Sequence, residues 1–282
     1  MTVNSGNDVT REVRWNSELA KIIDHIDSDD LPKLLIEGLA VLVPFSMSTV
    51  FVNRGRSRPI CIYDTFPNSA AKSGIDNYIS SSYVVNPFYL AHLNGIKEGL
   101  YRIRDLAPDG YFPNETYDDH KAIPAPDEEI GYTTVGWPKG FEEINIAVPI
   151  GDVTVEIALF NRIQDGGFDE DHMNILHARS QVICAILRKY WQLHSDKLLA
   201  NPRDSSMDEV FESFGSELLS QRECEVIQYV MRGHSSESIA LNLNISITTV
   251  KTHRKRAYAK LEISSQSELF SLFLKSAKVL HA

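Results

Sequence analysis

The most concentrated chemistry in this 282-residue chain lies between Ile247 and Leu261, a stretch with five basic residues and no acid. If that stretch is a helix with Val250 at the centre of its buried face, a step of about 100° per residue sends Thr248, Thr252, Lys255 and Ala259 to the far side. Lys251 and Arg256 fall on the flanks. One side can then pack, while the other offers hydroxyls, cations and a small residue. That combination suits the major groove of double-stranded DNA: Lys donates to guanine edges, Thr methyls meet thymine, and the remaining cations hold phosphates. Arg254 lies about 40° from the buried centre, so its guanidinium is predicted to extend towards phosphate. With Thr249 and His253, the candidate DNA contacts are Thr248, Thr249, Lys251, Thr252, His253, Arg254, Lys255 and Arg256.

Such a helix needs neighbours to hold it, and the flanking sequence supplies start signals for three more. Ser220-Gln221-Arg222-Glu223 and Ser265-Gln266-Ser267-Glu268 fit the capping box, in which the Ser oxygen and the Glu carboxylate each satisfy a backbone amide. Ser235 and Ser246 can cap the two helices between. Ile227, Val230 and Met231, then Ile239, Ala240 and Leu243, then Val250, Ala257 and Leu261 can enclose one small core. Only Asn244-Ile245-Ser246 separates the second and third helices, a turn of helix-turn-helix length.

Charge divides the chain in the same place. Residues 216–282 carry nine Lys or Arg against six Glu and no Asp, or +3, whereas residues 1–215 carry 19 basic and 32 acidic residues, or −13. A basic stripe on an acidic protein is the footprint of a DNA-reading module attached to something else. The polar run Asn201–Asp208 marks a linker, placed at 201–215.

The motif Leu219-Ser220-Gln221-Arg222-Glu223, with Ile239-Ala240, Thr249-Val250-Lys251-Thr252-His253 and Lys260-Leu261, resembles the DNA-binding domain of LuxR-type transcriptional regulators over roughly residues 216–280. The resemblance implies base-side contacts at Lys251, Thr252 and Lys255, a backbone position for His253, and pairing of two copies through the fourth helix. Arg254 stands where the family usually has an aliphatic residue, and Ala257 is small for its core position.

Upstream, Trp15–Ile26, Leu31–Val43 and Asp169–His194 read as helices from their apolar spacing. Val50–Val52, Pro59–Tyr63, Ile144–Val148 and Val153–Leu159 read as strands, with a hairpin turn at Gly151-Asp152. The fold class is therefore α+β. An N-terminal α/β/α sensor and dimerisation domain with an antiparallel sheet occupies residues 1–200, and a C-terminal all-α four-helix helix-turn-helix domain occupies 216–282. A phosphorylated receiver domain disagrees with this order, because it needs alternating βα units. Roughly residues 70–195 bear a weaker resemblance to the autoinducer-binding domain of LuxR-type regulators, carried by Asn86-Pro87, Tyr101 and Ile146–Ile150 leading into Val155–Phe160. A GAF- or PAS-like sheet fits the same strands. Where the family has an Asp that holds the ligand amide, this chain has Asn86, and Trp15, Trp137 and Trp191 do not fall at the family's tryptophan position. Tyr78 and Tyr101 are candidate aromatic walls, so the expected ligand site is Tyr78, Tyr83, Asn86 and Tyr101.

The Pro-rich, acidic segment Tyr101–Gly140 is expected to be mostly loop, and an acidic lining there favours a cationic ligand. There is no nucleophile elbow, phosphate loop or HExxH, so no enzymatic activity is expected. No cofactor and no metal site is expected either, and Cys61, Cys184 and Cys224 read as buried thiols. The longest apolar stretches, such as Leu39–Phe45, fall far short of the roughly 20 residues of a membrane span, and the first 30 residues lack a secretory pattern, which points to the cytoplasm. The expected protein is a homodimeric regulator of transcription that reads an inverted-repeat operator, answers to a small-molecule effector other than a standard acyl-homoserine lactone, and has RNA polymerase as a further partner. Gating by a protein partner and an acyl-homoserine lactone receptor are the alternatives.

Overall fold

In a computed structural model, the protein is described over residues 5–80, 82–107, 122–125, 128–129, 132–199, 213–231, 234–265, 268–269 and 272–273. Two antiparallel helices open the chain, α1 (Ser5–Asp24) and α2 (Leu31–Leu42). They pack where Gly38 removes a side chain: a Cβ there would sit 3.1 Å from Ile22 and 3.3 Å from Trp15. Pro32 lies in the first turn of α2, where its missing N–H breaks no helical bond.

Five strands form one antiparallel sheet: β1 (Met47–Arg54), β2 (Ile60–Asp64), β3 (Gly99–Arg102), β6 (Phe141–Ile150) and β7 (Val153–Arg162), in the order β2-β1-β7-β6-β3. The β6–β7 hairpin turns at Gly151, whose φ of 64° is the left-handed conformation such a turn requires. Two further short strands, β4 (Ala122–Pro124) and β5 (Tyr132–Thr134), pair with each other. Between β2 and β3 run α3 (Ser69–Ser80), a 3₁₀ turn at Ser82–Val85, and α4 (Pro87–Leu93). A single helical turn, α5 (Ile103–Leu106), follows β3, so the span expected to be mostly loop contains both helix and strand. Residues 108–121 of that span lie outside the described residues.

The segment expected to be one helix over Asp169–His194 is two, α6 (Glu170–His177) and α7 (Ser180–Leu198). Asp169 caps α6 by accepting from the His172 amide at 2.8 Å. At the break, Arg179 donates to the Ile175 carbonyl and Ser180 to the His177 carbonyl, both at 2.8 Å, so side chains take over carbonyls at the end of α6.

The register of the sheet separates its two faces. Val50, Val52, Ile144, Ile146, Val148, Val155, Ile157 and Leu159 form an apolar face, packed against the Leu31, Leu35, Leu39, Ile183 and Leu187 side of the helices. The opposite face carries Thr49, Phe51, Asn53, Glu143, Asn145, Glu156, Ala158 and Phe160. Thr49, Asn53 and Asn145 are fully buried.

The C-terminal unit consists of α8 (Gln221–Met231), α9 (Ser236–Leu243) and α10 (Ile247–Lys260). Val226, Ile227, Ile239, Val250, Ala257 and Leu269 form its core. Asn244 ends α9 with φ 53°, a left-handed cap that Asn tolerates, and the chain turns through it into α10. Ser265 and Glu268 exchange capping bonds of 3.1 and 3.2 Å at the start of the fourth helical segment, of which only residues 268–269 and 272–273 are described. Phe214 stacks edge-on against Phe273 at 5.5 Å. Among the described residues no helix is long and apolar enough to cross a membrane.

Candidate functional site

Two sites emerge, one on each unit. In α10, Val250 and Ala257 are fully buried, which fixes the rotation of the helix. Burying a Val side chain is worth about 1.5–3 kcal/mol. Ser246 caps the helix by accepting from the Thr249 amide at 3.0 Å, and its hydroxyl meets that of Thr249 at 2.8 Å. Thr248, Lys251, Thr252, Lys255 and Arg256 are exposed together, and Thr249, His253 and Arg254 are half-buried at the margins. The Thr252 hydroxyl donates to the Thr248 carbonyl at 2.9 Å, which leaves its oxygen free to accept a further bond on this exposed residue. Behind the helix, Glu223 accepts from the Ser220 amide at 2.8 Å and from Lys260 at 2.7 Å. These donors hold its carboxyl down at about 2.

The second site lies on the polar face of the sheet. A cavity of about 70 Å³ is bordered by Thr49, Phe51, Glu143, Glu156, Ala158 and Phe160 from the strands, Tyr78 from α3, Asn86 at the start of α4, Ile103, and Glu128, Glu129, Thr133, Thr134, Trp137, Pro138 and Phe141 from the covering segment. Trp137 is the hub of its aromatic wall, with ring centres 5.0 Å from Phe66, 5.6 Å from Tyr78 and 5.7 Å from Phe160. The Trp137 loop approaches α3 backbone to backbone: a Cβ on Gly74 would lie 2.8 Å from Gly136. Asn77 donates to the Val135 carbonyl at 2.7 Å, and the hydroxyls of Ser82 and Thr134 meet at 2.8 Å.

A polar network crosses the floor. Asn145 donates to Glu143 at 2.8 Å and to Glu156 at 2.9 Å, Asn53 donates to Glu156 at 3.0 Å, and the Glu143 amide donates to Glu129 at 2.9 Å. Burial pushes the carboxyls of Glu129 and Glu143 up to about 8 and that of Glu156 to about 7. Among the described residues, no group of three or more His, Cys, Asp or Glu is arranged to hold a metal ion.

The family model of bacterial regulatory proteins of the luxR family matches residues 217–273, the unit that presents α10. An HTH-type transcriptional regulator assigned to the exeN 3′ region of Aeromonas salmonicida is 31% identical over 152 residues, covering 51% of this chain and 76% of that protein. The chain belongs to the LuxR family of bacterial regulatory proteins. The response regulator protein TodT of Pseudomonas putida is 34% identical over 91 residues, 32% of this chain and 38% of that protein. Among solved structures, the VqsR LBD domain from Pseudomonas aeruginosa aligns with TM-score 0.49 and 17% identity over 64% of this chain and 97% of that one. Escherichia coli SdiA aligns with TM-score 0.40 and 13% identity over 94% of this chain and 98% of that one.

Within this LuxR-family chain, the predicted ligand residues separate. Tyr78 and Asn86 border the cavity. Asn86 is also the cap of α4, accepting from the Phe88 amide at 2.8 Å and the Tyr89 amide at 3.2 Å. Tyr83 is buried with its ring edge-on to Tyr89 at 4.8 Å and does not border the cavity. Tyr101 lies elsewhere again: its hydroxyl donates to the Lys97 carbonyl at 2.9 Å, beside a shallow groove with Leu90, Asn94 and Ile96. Trp137, Glu129, Glu143 and Glu156 also border the cavity and are not among the ligand residues predicted from the sequence. Their signal was faint but present: polar residues alternate with apolar ones through Glu143-Ile144-Asn145-Ile146, a pattern that ordinarily means a wet face. Of the three thiols, Cys184 is buried and Cys61 and Cys224 are half-buried, and burial raises all three above the ordinary thiol range.

Proposed function

We propose that this LuxR-family transcriptional regulator is a cytoplasmic homodimer that reads an inverted-repeat operator in double-stranded DNA and is switched by a small molecule held in the sheet cavity. The observation that carries the reading is one chain with both a cation-bearing helix face, capped by Ser246, and a cavity lined by the buried polar face of the sheet. Gating by a protein partner needs an apolar docking patch rather than a lined cavity, so the cavity favours a small effector. The effector is not a standard acyl-homoserine lactone. The position where the family places an amide-holding Asp is Asn86, whose side-chain oxygen is engaged by the amides of α4. On DNA, Lys251, Thr252 and Lys255 are the base-side contacts, while Arg254, Arg256 and His253 hold the backbone, and RNA polymerase is the downstream partner.

The test is a thermal-shift screen of metabolites on the full chain, followed by fluorescence anisotropy on an operator selected from random sequence. A true effector at 100 times its Kd adds about 2.7 kcal/mol of stability, and the same compound should change operator affinity. Stabilisation without any change in DNA binding would show that the cavity is not the switch.

A further inference from the structure

Building on the cavity's assignment as the effector site, we infer that it is built for an organic cation, an amine or guanidine on a small aromatic or aliphatic body, held between the Trp137 aromatic wall and the Glu129–Glu143–Glu156 carboxylates. The first support is charge. Glu128, Glu129, Glu143 and Glu156 border the cavity, and no Lys, Arg or His is among its described lining residues. Glu129 forms a long ion pair with Arg104, whose Nε stands 3.9 Å from its Oε1 and does not hydrogen-bond to it.

The second support is the hydrogen-bond inventory. The amide protons of Asn145 are both spent on Glu143 and Glu156. The Thr49 hydroxyl, which borders the cavity from a fully buried residue, has no hydrogen-bond partner among the described residues, and neither does Oε1 of Glu129. The side-chain carbonyls of Asn53 and Asn145, beside Glu156, are in the same condition. The site therefore has a surplus of oxygen acceptors and a shortage of N–H donors, and leaving such groups unmatched is costly. An ammonium or guanidinium supplies three to five donors and no acceptor.

The third support is the wall. Tyr78, Phe160 and Phe51 line the cavity with Trp137, and aromatic faces attract a cation placed over them. An anion would find no cation among the described lining residues, and an acyl chain would satisfy the rings while leaving the Thr49 hydroxyl and the Asn53 and Asn145 carbonyls unmatched. Burial raises the three inner carboxyls, and a cation bound beside them favours their ionised, accepting forms. At about 10–15 Å³ for each water-sized position, the roughly 70 Å³ of space suits a compact molecule.

The experiment uses the full chain with matched probes: phenethylamine, tyramine, putrescine and agmatine, each beside its neutral alcohol and its carboxylate analogue. The expected result is a thermal shift with at least one cation and none with its neutral or anionic counterpart, confirmed by titration calorimetry. Glu156→Gln and Glu143→Gln, which keep side-chain shape, should each weaken that cation at least tenfold, and Thr49→Val should weaken it less. Near-UV circular dichroism establishes that each variant keeps its native packing. If no cation stabilises the chain but a neutral or anionic probe or an acyl-homoserine lactone does, the cation assignment falls and the sensor stands. If no small molecule binds, and filling the cavity with Ala158→Phe leaves operator binding unchanged, the sensor reading falls with it.

Discussion

At the scale of single residues, each site turns on where a charge is placed relative to water. Glu143 illustrates the buried case. Its carboxyl is raised to about 8 by burial, so the folded protein favours the protonated form over most of the neutral range. The sign follows from linkage: a raised carboxyl contributes stability that is fully present below its unfolded value near 4.5 and is lost as pH rises through about 8. Glu143→Gln should therefore flatten the decline in thermal stability between pH 6 and pH 9 and raise the melting temperature at pH 9, with each kcal/mol worth about 2–4 °C. Glu129 and Glu156 should leave a residual slope. Melting curves by circular dichroism across that range check it, and an unchanged pH profile would show that Glu143 does not titrate there. Lys255 illustrates the exposed case. It stands opposite fully buried Val250, so Lys255→Ala should lower operator affinity by about 1–3 kcal/mol while random DNA loses much less. Fluorescence anisotropy at fixed salt checks this, and equal losses on both DNAs would assign Lys255 to phosphate.

At the scale of elements, the contact that seats Trp137 is the most exacting. Gly74 in α3 and Gly136 before Trp137 touch backbone to backbone, and Gly136 adopts φ 83°. A methyl on Gly74 has no room, so Gly74→Ala should push the Trp137 loop outwards. Acrylamide quenching of tryptophan fluorescence should rise and effector-induced stabilisation should fall at least tenfold, while the effector-free affinity for DNA stays within twofold. Unchanged quenching would mean that the loop tolerates the methyl. This contact also shows why the cavity was only half legible in the sequence. Ser235, Ser246 and the two Ser-Glu capping boxes act within four residues of themselves, so the helical module could be read from its own letters. The β6–β7 hairpin was likewise local, marked by Gly151-Asp152 and the period-two alternation. Trp137 meets Tyr78 and Phe160 only through tertiary contacts across α3 and the sheet, and no spacing rule announces such a meeting. The buried polar face was misleading for a related reason: Asn145 and Glu156 have the alternation of a solvated strand surface, and only the covering segment makes them interior. The break between α6 and α7 lacked any glycine or proline, because Arg179 and Ser180 side chains end the first helix by bonding its carbonyls.

At the scale of the whole molecule, charge sets a problem that pairing can solve. Residues 1–215 carry −13 and residues 216–282 carry +3, so each copy brings far more repulsion towards DNA than its reading helix brings attraction. One helix face with Lys251, Arg254, Lys255 and Arg256 offers few phosphate contacts, and each contact contributes a slope of only about −0.9 in log affinity against log salt. Two linked faces gain through effective concentration, because the second binds as an intramolecular event. The large apolar side chains left exposed in the N-terminal unit include Val9, Val13 and Ile23 on α1 and Leu193 on α7; Leu193 makes α7 one candidate pairing surface beside the fourth helical segment. Dimerisation should therefore supply much of the operator affinity. In sedimentation velocity, two copies of the chain should occupy one inverted-repeat operator. An operator with a single half-site should bind at least a hundredfold more weakly, and Leu193→Glu should weaken the full operator towards the half-site value if α7 carries the interface. The salt slope on the full operator should be about twice that on the half-site, since both helices then release counterions. A single copy bound to the full operator at undiminished affinity would refute the dimer, whereas a dimer indifferent to Leu193→Glu would move the interface from α7 to the fourth helical segment.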